Sequence, residues 1–241
     1  MKLTKWRAAL GVIGLLALTN VLTLMLLLNR ISARHPGHSK PAGDLKVVVE
    51  RIPESNATPE FKFENVPAPS KTNAATYATF TLVTGGRDGN SGGLNTLHDG
   101  NLPDGPDAPG ENFFFQDGTY GGRILVDLNE VVFIQQINTY SWHTDARAPQ
   151  LYSLYAKEDT TDGSNPAAVG RSDLTTLGWK LLANVDTRPK SGDPAGQYGV
   201  SISSPRGLIG HYRYLLFDCK RTEGVDRWGN TFYCGIDVIA K

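Results

Sequence analysis

NFFFQDGTYGGRILVDLNEVVFIQQINTYSWHTDARAPQLYSLY, residues 112–155, is the stretch on which the fold is decided. Within Arg123–Leu128, Ile124, Val126 and Leu128 fall on one face, and Arg123 and Asp127 fall on the other. That is the two-residue period of a half-buried strand. Val131–Trp142 reads as a second, longer and bent strand, and Leu151–Lys157 puts Tyr152, Leu154 and Ala156 on one face of a third. Between the second and third, residues 143–149 form a loop that holds His143, Asp145 and Arg147 next to Trp142. Regular strands with polar and aromatic groups concentrated on their connections describe a β-sandwich that carries its ligand site on loops.

Working outward, further strands are expected at Tyr77–Thr84, Trp179–Val185, Tyr198–Ser203, Tyr212–Cys219 and Thr231–Ala240. Residues 85–110 make a long polar loop rich in Gly, Asp and Asn. The chain has 26 Gly and 14 Pro, no alternation of strands with helices and no internal repeat. A parallel Rossmann-type sheet is therefore excluded in favour of an all-β, turn-rich domain of about eight strands over residues 73–241.

The N-terminus is a separate object. Lys2, Lys5 and Arg7 lie in a basic segment, residues 1–7, and an apolar run follows over residues 8–28. Its 21 residues suffice to cross a bilayer as a helix. The run is longer than the apolar core of a cleavable signal, and Ile31-Ser32-Ala33 is a poor cleavage site, so an uncleaved signal anchor is the expected reading. Basic residues on both sides nearly balance, and charge alone does not orient it. Residues 29–72, with Pro36, Pro41, Pro53, Pro59, Pro67 and Pro69, read as a tether. One β-like run, Leu45–Val49, interrupts it, either as an isolated strand or as part of the domain. Asn56-Ala57-Thr58 fits a glycosylation sequon.

Lys+Arg and Asp+Glu each number 24, so net charge gives no argument for nucleic acid or for an anionic membrane surface. The two cysteines, Cys219 and Cys234, each share a strand face with aliphatic neighbours. If segments 212–219 and 231–240 pair, the two are a disulfide candidate in an oxidising compartment; otherwise they are buried free thiols.

LHDGN (97–101), GGRILVDL (121–128), INTYSWH (137–143), PQLYSLYAKED (149–159), RYLLFD (213–218) and NTFYCGIDV (230–238) together resemble discoidin domains, also called coagulation factor V/VIII type C modules. The likeness covers roughly residues 75–241, with the motifs in family order. It implies an antiparallel, eight-stranded jelly-roll sandwich of the galactose-binding-like fold. It also implies a non-catalytic role, in which loops at one end bind sugars, lipid head groups or protein surfaces outside the cytoplasm.

Two constellations follow. Sugars are held by an aromatic platform against C–H faces and by planar donors to hydroxyl pairs. Trp142, His143 and Arg147 supply those types, Tyr120 and Arg123 flank a glycine turn, and Arg227, Trp228 and Asn230 lie in the last inter-strand loop. The competing assignment makes Trp142 and Tyr140 core residues and pairs Arg147 with Asp145 or Asp127. The second constellation is the loop carrying Asp99, Asn101 and Asp104, whose oxygens suit calcium. Its spacing does not match an EF-hand loop. The resemblance implies a structural calcium completed by a glutamate opening the last strand; this chain has Gly235 there, with Asp237 as the substitute two residues on. The alternative is a loop of Asx-turns.

Catalytic patterns fail on context. Gly89-Asn90-Ser91-Gly92-Gly93 matches a nucleophile elbow, but a Gly/Asp/Pro loop follows the serine where a helix is required. His35, His38, His98, His143 and His211 show no metalloprotease spacing, and no carboxylate pair stands out for glycoside hydrolysis. The expectation is a membrane-anchored binding module for carbohydrate or another cell-surface polymer. Docking onto a second envelope protein is the alternative, and a hydrolase the remote one.

Overall fold

The computed structural model describes residues 45–159, 165–223 and 230–241, all within one folding unit, residues 40–241. The expected anchor at 8–28 lies outside the described residues, among which no helix is long and apolar enough to cross a membrane. The strands are β1 (Lys46–Pro53), β2 (Thr79–Thr84), β3 (Gly122–His143), β4 (Leu151–Lys157), β5 (Lys180–Asp186), β6 (Gly196–Ser203), β7 (Gly210–Cys219) and β8 (Tyr233–Ala240). Every pairing is antiparallel, as the alternating pattern requires.

The expected strands at 123–128 and 131–142 are one strand. β3 runs for 22 residues, with its register against β7 interrupted between Asp127 and Val132. Asn129 turns the strand at φ 69°, a conformation that Asn tolerates because its short side chain bonds locally. Its amide side chain donates to the Tyr77 carbonyl at 2.8 Å. A bulge of this kind bends a strand without ending its ladder, so the apolar period breaks while the hydrogen bonding continues.

That bend builds the sandwich. The first half of β3 pairs with β2 and β7, and β4 and β5 extend that layer. The second half pairs with β6 and β8, and β1 closes the other layer beside β6. Ile124, Val126, Leu154, Leu215 and Phe217 from one layer meet Ile137, Val200, Ile202, Ile236 and Val238 from the other in a single buried core.

The tether reading of residues 29–72 fails for its second half. Leu45–Val49 is not an isolated strand; it opens β1, which pairs along its full length with β6. Residues 54–72 then lie as a strap across the outer face of the β1-β6-β3-β8 layer. Phe61 and Val66 are buried there against Tyr140, Trp142 and Cys234. The Phe61 ring meets Trp142 edge-on at 5.7 Å and Tyr140 at 6.3 Å. Polar bonds pin the strap along its length: Trp142 Nε1 donates to Glu54 at 2.9 Å, Gln197 Nε2 to the Thr58 carbonyl at 2.6 Å, and the Tyr140 hydroxyl to the Pro67 carbonyl at 2.8 Å. Glu50 accepts from the backbone of Asn65 and Val66. Gly199 makes room, since any Cβ there would strike the Phe63 ring. The opposite outer face is covered by residues 167–179, through Val169, Leu174 and Trp179 on Leu125, Tyr214 and Leu216.

The disulfide expectation also fails. β7 and β8 do not pair with each other; β7 pairs with β3 from Gly122 to Ile134 and β8 pairs with it from Ile134 to Ser141. The register of β8 against β3 slips between Tyr140 and Ser141, opposite Gly235 and Tyr233. This bulge at Cys234 reverses the alternation. Tyr233 joins the central core with Cys219, and Cys234 faces the strap. Both cysteines are free and buried, and burial raises both thiol pKa values.

Candidate ligand-binding cleft

The start of β3 and the end of β7 meet at one end of the sandwich, and the sequence fixes how closely. Gly121 has φ +88°, and a side chain on it would collide with the Cys219 carbonyl; one on Gly122 would collide with the Thr84 carbonyl. Two glycines therefore let the turn carrying Tyr120 sit flat against the ends of β2 and β7. Tyr120 stays 72% exposed, with the Arg221 guanidinium 4.2 Å from its ring centroid. The arginine covers one face of a ring that stays largely in solvent.

Arg123, one of the expected ligand groups, is mostly a scaffold. Its Nη1 donates to the carbonyls of Gly170 and Ser172 at 3.0 and 2.9 Å, and its Nη2 meets Asp218 at 3.3 Å. It thereby holds the turn that carries Arg171 over the end of β7. Between this turn and Tyr120 opens a cleft of about 470 Å³, whose lining includes Tyr120, Arg171, Asp218, Lys220, Arg221 and Glu223 beside Arg123. Arg171, Asp218, Lys220, Arg221 and Glu223 were not foreseen. The available signal was the charged run Lys220–Glu223 placed directly after a strand end.

Trp142, expected as an aromatic platform, is a core residue at 3% exposure. It points outward from its layer, but the strap occupies that side. His143 is buried at 2% and sits edge-on to Phe232 at 4.4 Å. Its Nε2 lies 2.6 Å from Arg147 Nη2 and its Nδ1 2.8 Å from Asp145 Oδ1. Arginine can only donate, so Nε2 accepts and Nδ1 carries the proton aimed at Asp145. The Asp145 amide, 3.2 Å from the same Nδ1, then has no lone pair to approach. Burial opposes ionisation of Asp145, but the His143 bond, the Arg147 amide and the Arg147 charge outweigh it and hold its pKa at about 2. Arg147 stacks on Phe232 at 4.5 Å, and Phe232 stacks on Phe114 at 4.1 Å. Of the two ion pairs weighed for Arg147, the structure has the one with Asp145, while Asp127 pairs with Arg213.

This network supports the cleft from behind. The Ala146 carbonyl accepts from Thr222 Oγ1 at 2.6 Å, which fixes the segment that bears Lys220 and Arg221. Asn230 is 1% exposed. Its amide nitrogen reaches the Gln116 carbonyl at 3.3 Å, while its side-chain oxygen is buried with no hydrogen-bond partner among the described residues. It braces the turn before Tyr120. Arg227 and Trp228 lie outside the described residues.

The calcium set does not come together. Asp237 Oδ2 accepts from the Ser70 amide at 2.8 Å and from the Tyr140 hydroxyl at 3.3 Å, and its Oδ1 accepts from Asn73 at 2.9 Å. Those bonds fasten the end of the strap to β8. Asp99 Oδ1 accepts from the Asn101 amide at 2.9 Å, an Asx-turn, and the Asp104 amide donates to Glu111 at 3.2 Å. Asp99, Asp104 and Asp237 form no ligating group, nor do any three His, Cys, Asp or Glu among the described residues. Ser91 is 4% exposed; its hydroxyl donates to the Gly92 carbonyl and accepts from the Phe114 amide, both at 2.9 Å. It is a structural group within the loop.

No protein-family model matches the sequence, and no curated protein does. Solved structures do show similarity. A CBM32 module from a family 31 glycoside hydrolase of Clostridium perfringens aligns at TM-score 0.45 and 11% identity, covering 70% of this chain and 98% of that one. A fucolectin from the serum of the striped bass Morone saxatilis aligns at TM-score 0.42 and 13% identity, covering 71% of this chain and 49% of that one. The C-terminal domain of a chitobiase from Bacteroides fragilis aligns at TM-score 0.41 and 16% identity, covering 70% of this chain and 96% of that one.

Proposed function

We propose that residues 45–241 form a non-catalytic carbohydrate-binding module, with the cleft at Tyr120 as its site, held at a membrane by the apolar run 8–28 on the extracytoplasmic side. One observation carries the binding reading: an aromatic ring at 72% exposure stands beside a walled cleft of about 470 Å³ lined with guanidinium and carboxylate groups. An exposed ring buries the C–H face of a sugar, and planar fork-like donors fix its oxygens. A protein-docking surface would instead present a contiguous apolar patch at that end.

The test is a screen of the full chain on a broad glycan array, with calcium and with chelator. Wild-type binding to a defined glycan class is expected, with Tyr120→Ala reducing it by roughly tenfold or more, a loss of about 1.4 kcal/mol. Trp142→Phe keeps the core filled and is expected to leave binding intact. Silence across the array, or binding indifferent to Tyr120→Ala, would refute the assignment.

A further inference from the structure

The chain as a whole is neutral, yet the cleft is not. Its wall carries Arg123, Arg171, Lys220 and Arg221 against Asp218 and Glu223. Arg123 and Asp218 answer each other at 3.3 Å, and the Arg123 Nη1 donates to the Gly170 and Ser172 carbonyls. Arg171 and Lys220 are both exposed, and neither side chain enters an ion pair among the described residues. The two are donors with no acceptor capacity, and Arg221 stands beside them over Tyr120. A neutral sugar presents hydroxyls that must donate as well as accept, which suits a wall of mixed amides and carboxylates. At Arg171 and Lys220 this wall offers donors alone, and an acceptor-only group, a carboxylate or a sulfate, suits that part of it.

From this we infer that the ligand is an acidic carbohydrate, its anionic substituent seated between Arg171, Lys220 and Arg221 while a sugar ring lies on the open face of Tyr120. The inference rests on the carbohydrate reading above and names its ligand class. The charge is local, so salt screens it: affinity falls as ionic strength rises, because the Debye length shrinks from about 10 Å at 0.1 M to about 3 Å at 1 M.

The experiment titrates the full chain with three probes on one backbone: an oligogalacturonate, its carboxyl-reduced form, and a sulfated version of the reduced form. A DNA duplex of matched charge is the fourth. The acidic sugars are expected to bind roughly tenfold or more tighter than the reduced one. The double variant Arg171→Gln, Lys220→Gln is expected to erase that advantage without moving the thermal melt, and Tyr120→Ala to weaken the acidic probes as well. The better of the carboxylated and sulfated probes identifies the anion. Equal affinity for the reduced sugar would overturn the inference and leave the carbohydrate reading standing. A duplex bound as tightly as the acidic sugars would overturn it too, as charge attraction alone. Binding to none of the four would sink both.

Discussion

Asp237 ionises against its surroundings. Burial pushes its pKa up to about 6, opposed by the bonds from the Ser70 amide, the Tyr140 hydroxyl and the Asn73 side chain. In the unfolded chain an aspartate titrates near 3.9, on the order of two units lower. The folded state therefore holds the extra proton between these values, and this residue's contribution to stability is fully present below about pH 4 and lost as pH rises to about 6. The slope is roughly 1.4 kcal/mol per unit. Asp145, held at about 2, and Asp127 and Asp186, both lowered, work in the opposite sense, but only as pH falls below about 4. Urea unfolding at pH 4.5 and 6.5 is expected to show the wild type more stable at the lower pH, with Asp237→Asn flattening the difference. A variant curve parallel to the wild type would refute the account. No sequence pattern announces such a group: Asp237 follows Gly235 and Ile236 on a strand, and its partners Ser70, Asn73 and Tyr140 lie 167, 164 and 97 positions away.

At the scale of elements, the strap is the feature on which the domain boundary turns. Edge-to-face aromatic pairs add about 0.5–1.5 kcal/mol each beyond burial, and Phe61 makes three, with Phe63, Tyr140 and Trp142. Phe61→Ala is expected to cost about 3–5 kcal/mol in a denaturant titration; a loss under about 1 kcal/mol would return residues 54–72 to the status of a tether. The strands were legible because a half-buried strand writes its burial into a two-residue period. The strap was not, because an irregular segment with two buried apolar residues, Phe61 and Val66, leaves no period, and its prolines are equally at home in a linker. The face of Cys234 was hidden for a related reason. One extra residue in β8 reverses every assignment before it, and nothing in the local sequence marks the insertion.

For the whole molecule, the proposal to test is the anchor. The run at 8–28 is long enough to span a bilayer, so the full chain is expected to stay in membranes through alkaline carbonate and to leave them only in detergent. Release by carbonate would end the anchor proposal. By itself the sequence determined the antiparallel all-β class, since alternation and turn residues act over a few positions. The glycine pair between Tyr120 and Arg123 was legible for the same reason, as a turn signal that the structure places in the lining of the cleft. What only the tertiary structure decided was partnership. Trp142, His143 and Asn230 have the chemistry of a sugar site but are covered by the strap and by the loops behind the cleft. Arg171 and Lys220 enter it because Arg123 ties a distant turn to the end of β7. Burial and long-range hydrogen bonds join residues a hundred positions apart, and no local pattern carries that information.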